Sequence, residues 1–114
     1  MKTIYICIPM PVFCERTQRK KADYWQKHFE QIGYTVINPF ELRDQLEKCH
    51  HLIAKCDPME PEYKRERMCN LEFSDKLFLC SGWAHDADCM DEVDQGIKCG
   101  LKFEFQQYEN KPKY

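Results

Sequence analysis

The acidic side chains of one short stretch are the first candidates for chemistry in this chain. "SGWAHDADCMDEVDQGIKCGLKF", Ser81 to Phe103, crowds Asp86, Asp88, Asp91, Glu92 and Asp94 together directly after a strong apolar run. A positioned carboxyl can act as acid, base or nucleophile. The same residues also suit the start of a surface helix. Asp88 with Asp91 reads as a weak capping box, and the helix dipole stabilises acids in a first turn. Glu92 fits that explanation less well. On a helix starting near Cys89 it shares a face with Cys89, Val93, Gly96 and Ile97, at the edge of the apolar stripe. An acid placed there, at the mouth of a crevice, is a catalytic candidate. In the preceding loop, Trp83 after Gly82 can stack on a base or sugar, and Trp equally serves cores and interfaces. His85 can carry a proton near neutral pH.

Composition limits the partners. Charged residues make up 32% of the 114, but acids and bases are mixed and the formal net charge is only −2. That leaves no electrostatic footprint for nucleic acid or a membrane surface. The opening "MKTIYICIPMP" has an apolar run too short for a signal peptide, and no stretch approaches a membrane-spanning length. A cytoplasmic location is the expectation. Eight cysteines against four glycines, with no leader and no C-x-x-C spacing, read as reduced thiols rather than a secreted disulfide scaffold. "CHHLIAKC", Cys49 to Cys56, is the one cluster with zinc-ligand chemistry, and its spacing matches no common pattern. Neither a metal nor a cofactor is expected.

Strands and helices alternate along the chain. "TIYICI", Thr3 to Ile8, is a buried strand ended by Pro9. From Glu15 to Ile32, Ala22, Trp25, Phe29 and Ile32 recur at helical spacing, and Gly33 is the C-cap candidate. Trp25 on that stripe reads as core. "YTVIN" is a second strand stopped by Pro39. Leu42, Leu46, Cys49 and Ile53 mark an amphipathic helix, and Pro61 opens another that runs to about Phe73. "DKLFLCSG" is the third strand, with its core at Lys76–Cys80. Asp88 to Cys99 is a helix, and "LKFEFQ" is the last strand. Residues 1–106 form the domain and residues 107–114 a polar tail.

This order predicts an α/β fold: a single-domain, Rossmann-like or flavodoxin-like open parallel sheet with helices on both faces. Such sheets bind ligands at the carboxyl ends of their strands, near the switch in strand order. Three segments then converge: the loop after the first strand from Ile8 through Pro9, Met10 and Pro11, the turn Asn38-Pro39-Phe40, and the loop from Ser81 to Asp88.

The motifs in this order resemble a known family. Asp86, Glu92 and the following "VDQGIKCGLKF" resemble the D-x-G-T-x-x-E-[IL]-G-x-A-x-x-x-G-K-P-V signature of the nucleoside 2-deoxyribosyltransferase superfamily. "YICIPM", "IGYTVINPF" and "SDKLFLCSGWAHDADCMDE" are similar, in the same order, to motifs of its small phage and bacterial branch. The resemblance covers roughly residues 3 to 105 and implies a Rossmann-like fold with a nucleoside or nucleotide pocket. It implies that Glu92 is the nucleophile on the anomeric carbon and that Asp86 holds sugar hydroxyls. It also shows departures. Arg67 stands where active members carry an assisting Asp, Asp88 where the motif has Gly, and the prolines of the first loop remove N–H groups that a phosphate would use.

The expected function is binding of a nucleoside- or nucleotide-type small molecule, with its N-glycosidic bond cleaved or transferred through Glu92. The residues expected to line the pocket are Ile8, Pro9, Met10, Pro11, Asn38, Arg67, Gly82, Trp83, His85 and Asp88. Two alternatives stay open. One is a non-catalytic phage-type protein that sequesters a nucleotide signal. The other is an oligomeric interaction module anchored by Trp83, Phe103 and Phe105. A homo-oligomer is expected, and the tail "YENKPKY" is a candidate to complete a neighbour's pocket. If Arg67 meets Glu92, the ion pair is expected to lower the Glu92 pKa.

Overall fold

The computed structural model describes residues 2–10, 15–53 and 59–106. Its elements are β1 (Thr3–Cys7), α1 (Glu15–Ile32), β2 (Thr35–Ile37), α2 (Pro39–Ile53), α3 (Met59–Glu72), β3 (Lys76–Leu79), a 3-10 turn (Trp83–His85), α4 (Ala87–Lys98) and β4 (Lys102–Phe105). The four strands form one sheet in the order β2-β1-β3-β4, and every pairing is parallel. This is the open α/β sheet that the alternating pattern predicts.

β1 is apolar at successive positions because it is buried on both faces: Ile4, Tyr5, Ile6 and Cys7 are fully buried. On one face Ile4, Ile6 and Phe78 meet Ala22, Trp25 and Phe29 of α1. The Phe78 ring lies 4.7 Å from Trp25 and 4.9 Å from Phe29, centroid to centroid. On the other face Tyr5, Cys7, Leu77 and Leu79 meet Leu71 of α3 and Cys89 of α4. The alternation along β1 thus sends Tyr5 and Cys7 toward α3 and α4.

Several expected boundaries move. β1 ends at Cys7 rather than Ile8, and β3 at Leu79 rather than Cys80, although Cys80 still donates its N–H to Cys7 O at 2.9 Å. α3 starts at Met59, so Pro61 sits inside the first turn, where a missing N–H costs no helical bond. Pro39 does not sit in a free turn but opens α2. Asn38 caps that helix, its Oδ1 accepting from Phe40 N at 3.0 Å. α4 starts at Ala87 and ends at Lys98, one residue earlier at each end than Asp88–Cys99. Ile32, expected on the buried stripe of α1, is 60% exposed in its last turn.

The first two turns of α1 and α2 are tied together at the carboxyl edge of the sheet. Arg19 spans both Asp44 oxygens at 2.8 Å, and Arg43 pairs with Glu15. The Arg19 guanidinium holds the Asp44 carboxyl below its ordinary value. Cys7, Cys69, Cys80, Cys89 and Cys99 are free thiols. Cys14, Cys56 and the 107–114 tail lie outside the described residues, as does the Cys49 side chain. Among the described residues no helix is long and apolar enough to cross a membrane.

Truncating the ring that bridges α1 and the sheet tests this packing. Phe29→Ala should cost about 3–5 kcal/mol of unfolding free energy, because it leaves a cavity under α1. Urea denaturation with an unchanged slope would report it; a loss below about 1 kcal/mol would show that α1 does not pack as described.

Candidate functional site

Glu92 does not face solvent. α4 turns it inward in its second turn, where it is 2% exposed beside Cys89 and Gly96. Its Oε2 accepts a hydrogen bond from the Tyr5 hydroxyl at 2.5 Å and another from Arg67 Nη1 at 2.9 Å. Tyr5 comes from β1, Arg67 from α3 and Glu92 from α4, so three elements meet on one oxygen. The cluster lies on the α3/α4 face beside β1 and β3, the pair at which the strand order switches.

Arg67 is itself 2% exposed. The Tyr63 ring stacks against its guanidinium at 4.8 Å, and Asp88 Oδ1 stands 3.6 Å from Nη2. That distance is an ion pair but not a hydrogen bond. Among the described residues Arg67 Nε and Nη2 have no hydrogen-bond partner. Buried donors left without partners are costly, and each calls for an explanation.

The direction of the Glu92 shift corrects the expectation. Burial pushes its carboxyl above the ordinary 4.5; the Arg67 charge and the hydrogen bonds from Tyr5 and Arg67 pull it down without cancelling the burial. The Arg67 partner is legible in the sequence; the loss of water around Glu92 is not. Burial likewise raises the Tyr5 phenol, so Tyr5 remains a hydrogen-bond donor to the carboxyl.

The other site candidates spread over the same edge. Asp86 is the N-cap of α4, its Oδ1 accepting from Cys89 N at 3.0 Å; the capping role read for Asp88 belongs to Asp86. Asp88 is exposed in the first turn and reaches back to Arg67. Gly82 takes a left-handed φ of 89°, and a Cβ there would stand 3.5 Å from Pro9 Cγ, so the loops after β1 and β3 touch. Ile8 is buried under α1, and Pro9 O accepts from Gln18 at 2.9 Å. Met10 Sδ lies 2.9 Å from the Tyr63 hydroxyl. Pro11 is outside the described residues. The Asn38 amide donates to Asp23 and Gln26 at 3.3 and 3.0 Å, so its side chain faces α1. Trp83 packs toward Phe105 with ring centroids 6.1 Å apart, and His85 is exposed.

Tyr5 and Tyr63 stand out in the structure and not in the sequence. Tyr5 looks like one more aromatic of a buried strand, yet a phenol with no water around it needs a partner, and that need was the available signal. Cys7, Cys89 and Glu92 also bring potential metal-ligand atoms within 4.8 Å of one another. Here the Cys7 thiol is pushed up by its hydrogen bond to Cys89 and by burial, and Arg67 already supplies the positive charge beside Glu92. A separate cavity of about 310 Å³ opens at the opposite, amino-terminal edge of the sheet, lined by Lys2, Tyr34, Asp75, Lys76, Gly100 and Lys102.

No protein-family model, curated protein or solved structure gives a significant match to this chain.

The raised carboxyl has a definite pH consequence. Below pH 4.5, the ordinary value, Glu92 holds its proton whether the chain is folded or unfolded. As pH rises above that, the unfolded chain releases the proton while the folded chain keeps it, so this group's contribution to stability falls. Glu92→Gln should remove that fall. Unfolding free energies of the two proteins, measured from pH 4 upward, should diverge in favour of the variant; parallel curves would contradict the raised carboxyl.

Proposed function

We propose that the chain binds a nucleoside- or nucleotide-type small molecule at the carboxyl edge of the sheet, between the loops after β1 and β3, with Arg67 and Glu92 as its polar floor. One observation carries this reading: a buried guanidinium with Nε and Nη2 unpartnered among the described residues, beside the switch in strand order. A planar fork of free N–H groups suits phosphate or paired hydroxyl oxygens. Asp88, whose side chain is 56% exposed, stands over that fork at more than hydrogen-bond length. An anionic or hydroxyl-rich ligand that displaces it meets Nη2. The motif resemblance to nucleoside 2-deoxyribosyltransferases supports the same ligand class.

A second reading adds chemistry to binding, and the Tyr5–Glu92 contact favours it. Glu92 would attack the anomeric carbon as that carbon's bond to the base nitrogen breaks. The electron pair leaves with the base, which takes up a proton, and water then cleaves the glycosyl ester. Attack needs the ionised carboxyl, so such turnover would rise with pH through a value above 4.5.

A thermal-shift screen of nucleosides and nucleotides tests binding, since a ligand at a hundredfold excess over Kd stabilises by about 2.7 kcal/mol. Arg67→Met should weaken binding of phosphorylated hits by about 2–5 kcal/mol, and Asp88→Asn should strengthen it by removing a competing carboxylate. A screen with no stabilising compound would overturn the reading. Among hits, base release by the wild type that vanishes in Glu92→Gln marks an enzyme; binding without release marks a sequestering protein.

A further inference from the structure

We infer that β4 is a self-pairing edge, so that two copies of this chain join through antiparallel β4 strands into one continuous sheet. β4 is the last strand of the sheet, and among the described residues nothing pairs with its outer side. Its inner side is used by alternate residues: Lys102 N donates to Asp75 O at 3.2 Å and Gln106 N to Leu79 O at 2.9 Å. The period of two then turns the N–H and C=O groups of Phe103 and Phe105 outward. A row of unsatisfied backbone groups on an edge is a template for another strand.

The side chains choose the partner. β4 reads Lys-Phe-Glu-Phe. An antiparallel pair centred on Phe103 lets the two Phe103 residues exchange both backbone bonds. It sets Lys102 opposite Glu104 of the second copy, and Glu104 opposite its Lys102. On the other face Phe105 falls opposite Leu101 of the second copy. Centring the pair on Glu104 would put the two glutamates face to face. Parallel pairing in register would oppose Lys102 to Lys102 and Glu104 to Glu104. Opposite charges across strands stabilise a pair and like charges destabilise it, so a single arrangement is complementary. Among antiparallel and in-register parallel pairings of this strand, the Phe103-centred one is the only one that sets each charge opposite its counter-charge.

Two further features fit this partner. Lys102 is exposed and has no ion-pair partner among the described residues, whereas Glu104 is shared with Lys76 at 2.8 Å. Phe105 is 50% exposed although its neighbour Phe103 packs into the core of the α3/α4 face. Pairing would give the lysine a carboxylate and cover the phenylalanine. The inference concerns the sheet edge and stands independently of any ligand at Arg67 and Glu92.

Analytical ultracentrifugation of the full chain tests it with two charge variants. The wild type should dimerise in a concentration-dependent way. Lys102→Glu makes every opposed position in the paired strands acidic, and Glu104→Lys makes every one basic. Each variant alone should dimerise about tenfold or more weakly, because like charges face each other twice. An equimolar mixture of the two restores opposite charges at every position and should return to dimer. A monomeric wild type, single variants that dimerise as before, or a mixture that stays monomeric would each overturn the inference. Amide exchange of the wild type gives a readout without substitutions. The Phe103 and Phe105 amides should become protected as concentration rises, and fast exchange at every concentration would equally overturn it.

Discussion

One buried oxygen of Glu92 ties β1, α3 and α4 together. Tyr5 from β1 and Arg67 from α3 both bond to it, and α4 delivers it from its second turn. A charged pair this deep is retained only where geometry and extra hydrogen bonds offset the loss of water. Here Glu92 and Tyr5 hold the Arg67 charge up against burial, but the offset is incomplete for the carboxyl. The carboxyl is pushed up, and two of the guanidinium's nitrogens lack partners among the described residues. An apolar core of the same volume would often satisfy the fold as well or better.

The fold around it follows from a simpler rule. A short parallel sheet must cover both faces, so β1 and β3 carry apolar residues at successive positions while α1 and α4 carry single stripes. Those patterns made the strands and α1 readable from Ile4, Ile6, Trp25, Phe29 and Phe78. Glu92 was readable for the same reason: it interrupts an apolar stripe, and Cys89 and Gly96 on that stripe are buried with it.

What was not legible has physical reasons too. Asp86 and Asp88 are equally good caps by residue type, and only the backbone decides between them; Asp86 is extended and Ala87 begins the helix. Ile97 fits the stripe by spacing but is 64% exposed near the end of α4. α3, "MEPEYKRERMCNLE", has little apolar periodicity, so Arg67 could be placed only by motif resemblance. Tyr5 was hidden by its own strand, and with it the partner that explains why Glu92 tolerates burial. The pKa direction failed for a related reason, since a sequence names the partners of a charge but not how much water they replace.

The central claim is that Glu92 is a buried carboxyl held above its ordinary pKa, beside a guanidinium that we propose binds the ligand. The most direct measurement is the carbon-13 NMR titration of the Glu92 side-chain carboxyl, with and without a saturating nucleoside monophosphate. The account predicts a midpoint above the ordinary 4.5 that moves when the nucleotide binds. A midpoint at or below 4.5, unchanged by the nucleotide, would contradict it.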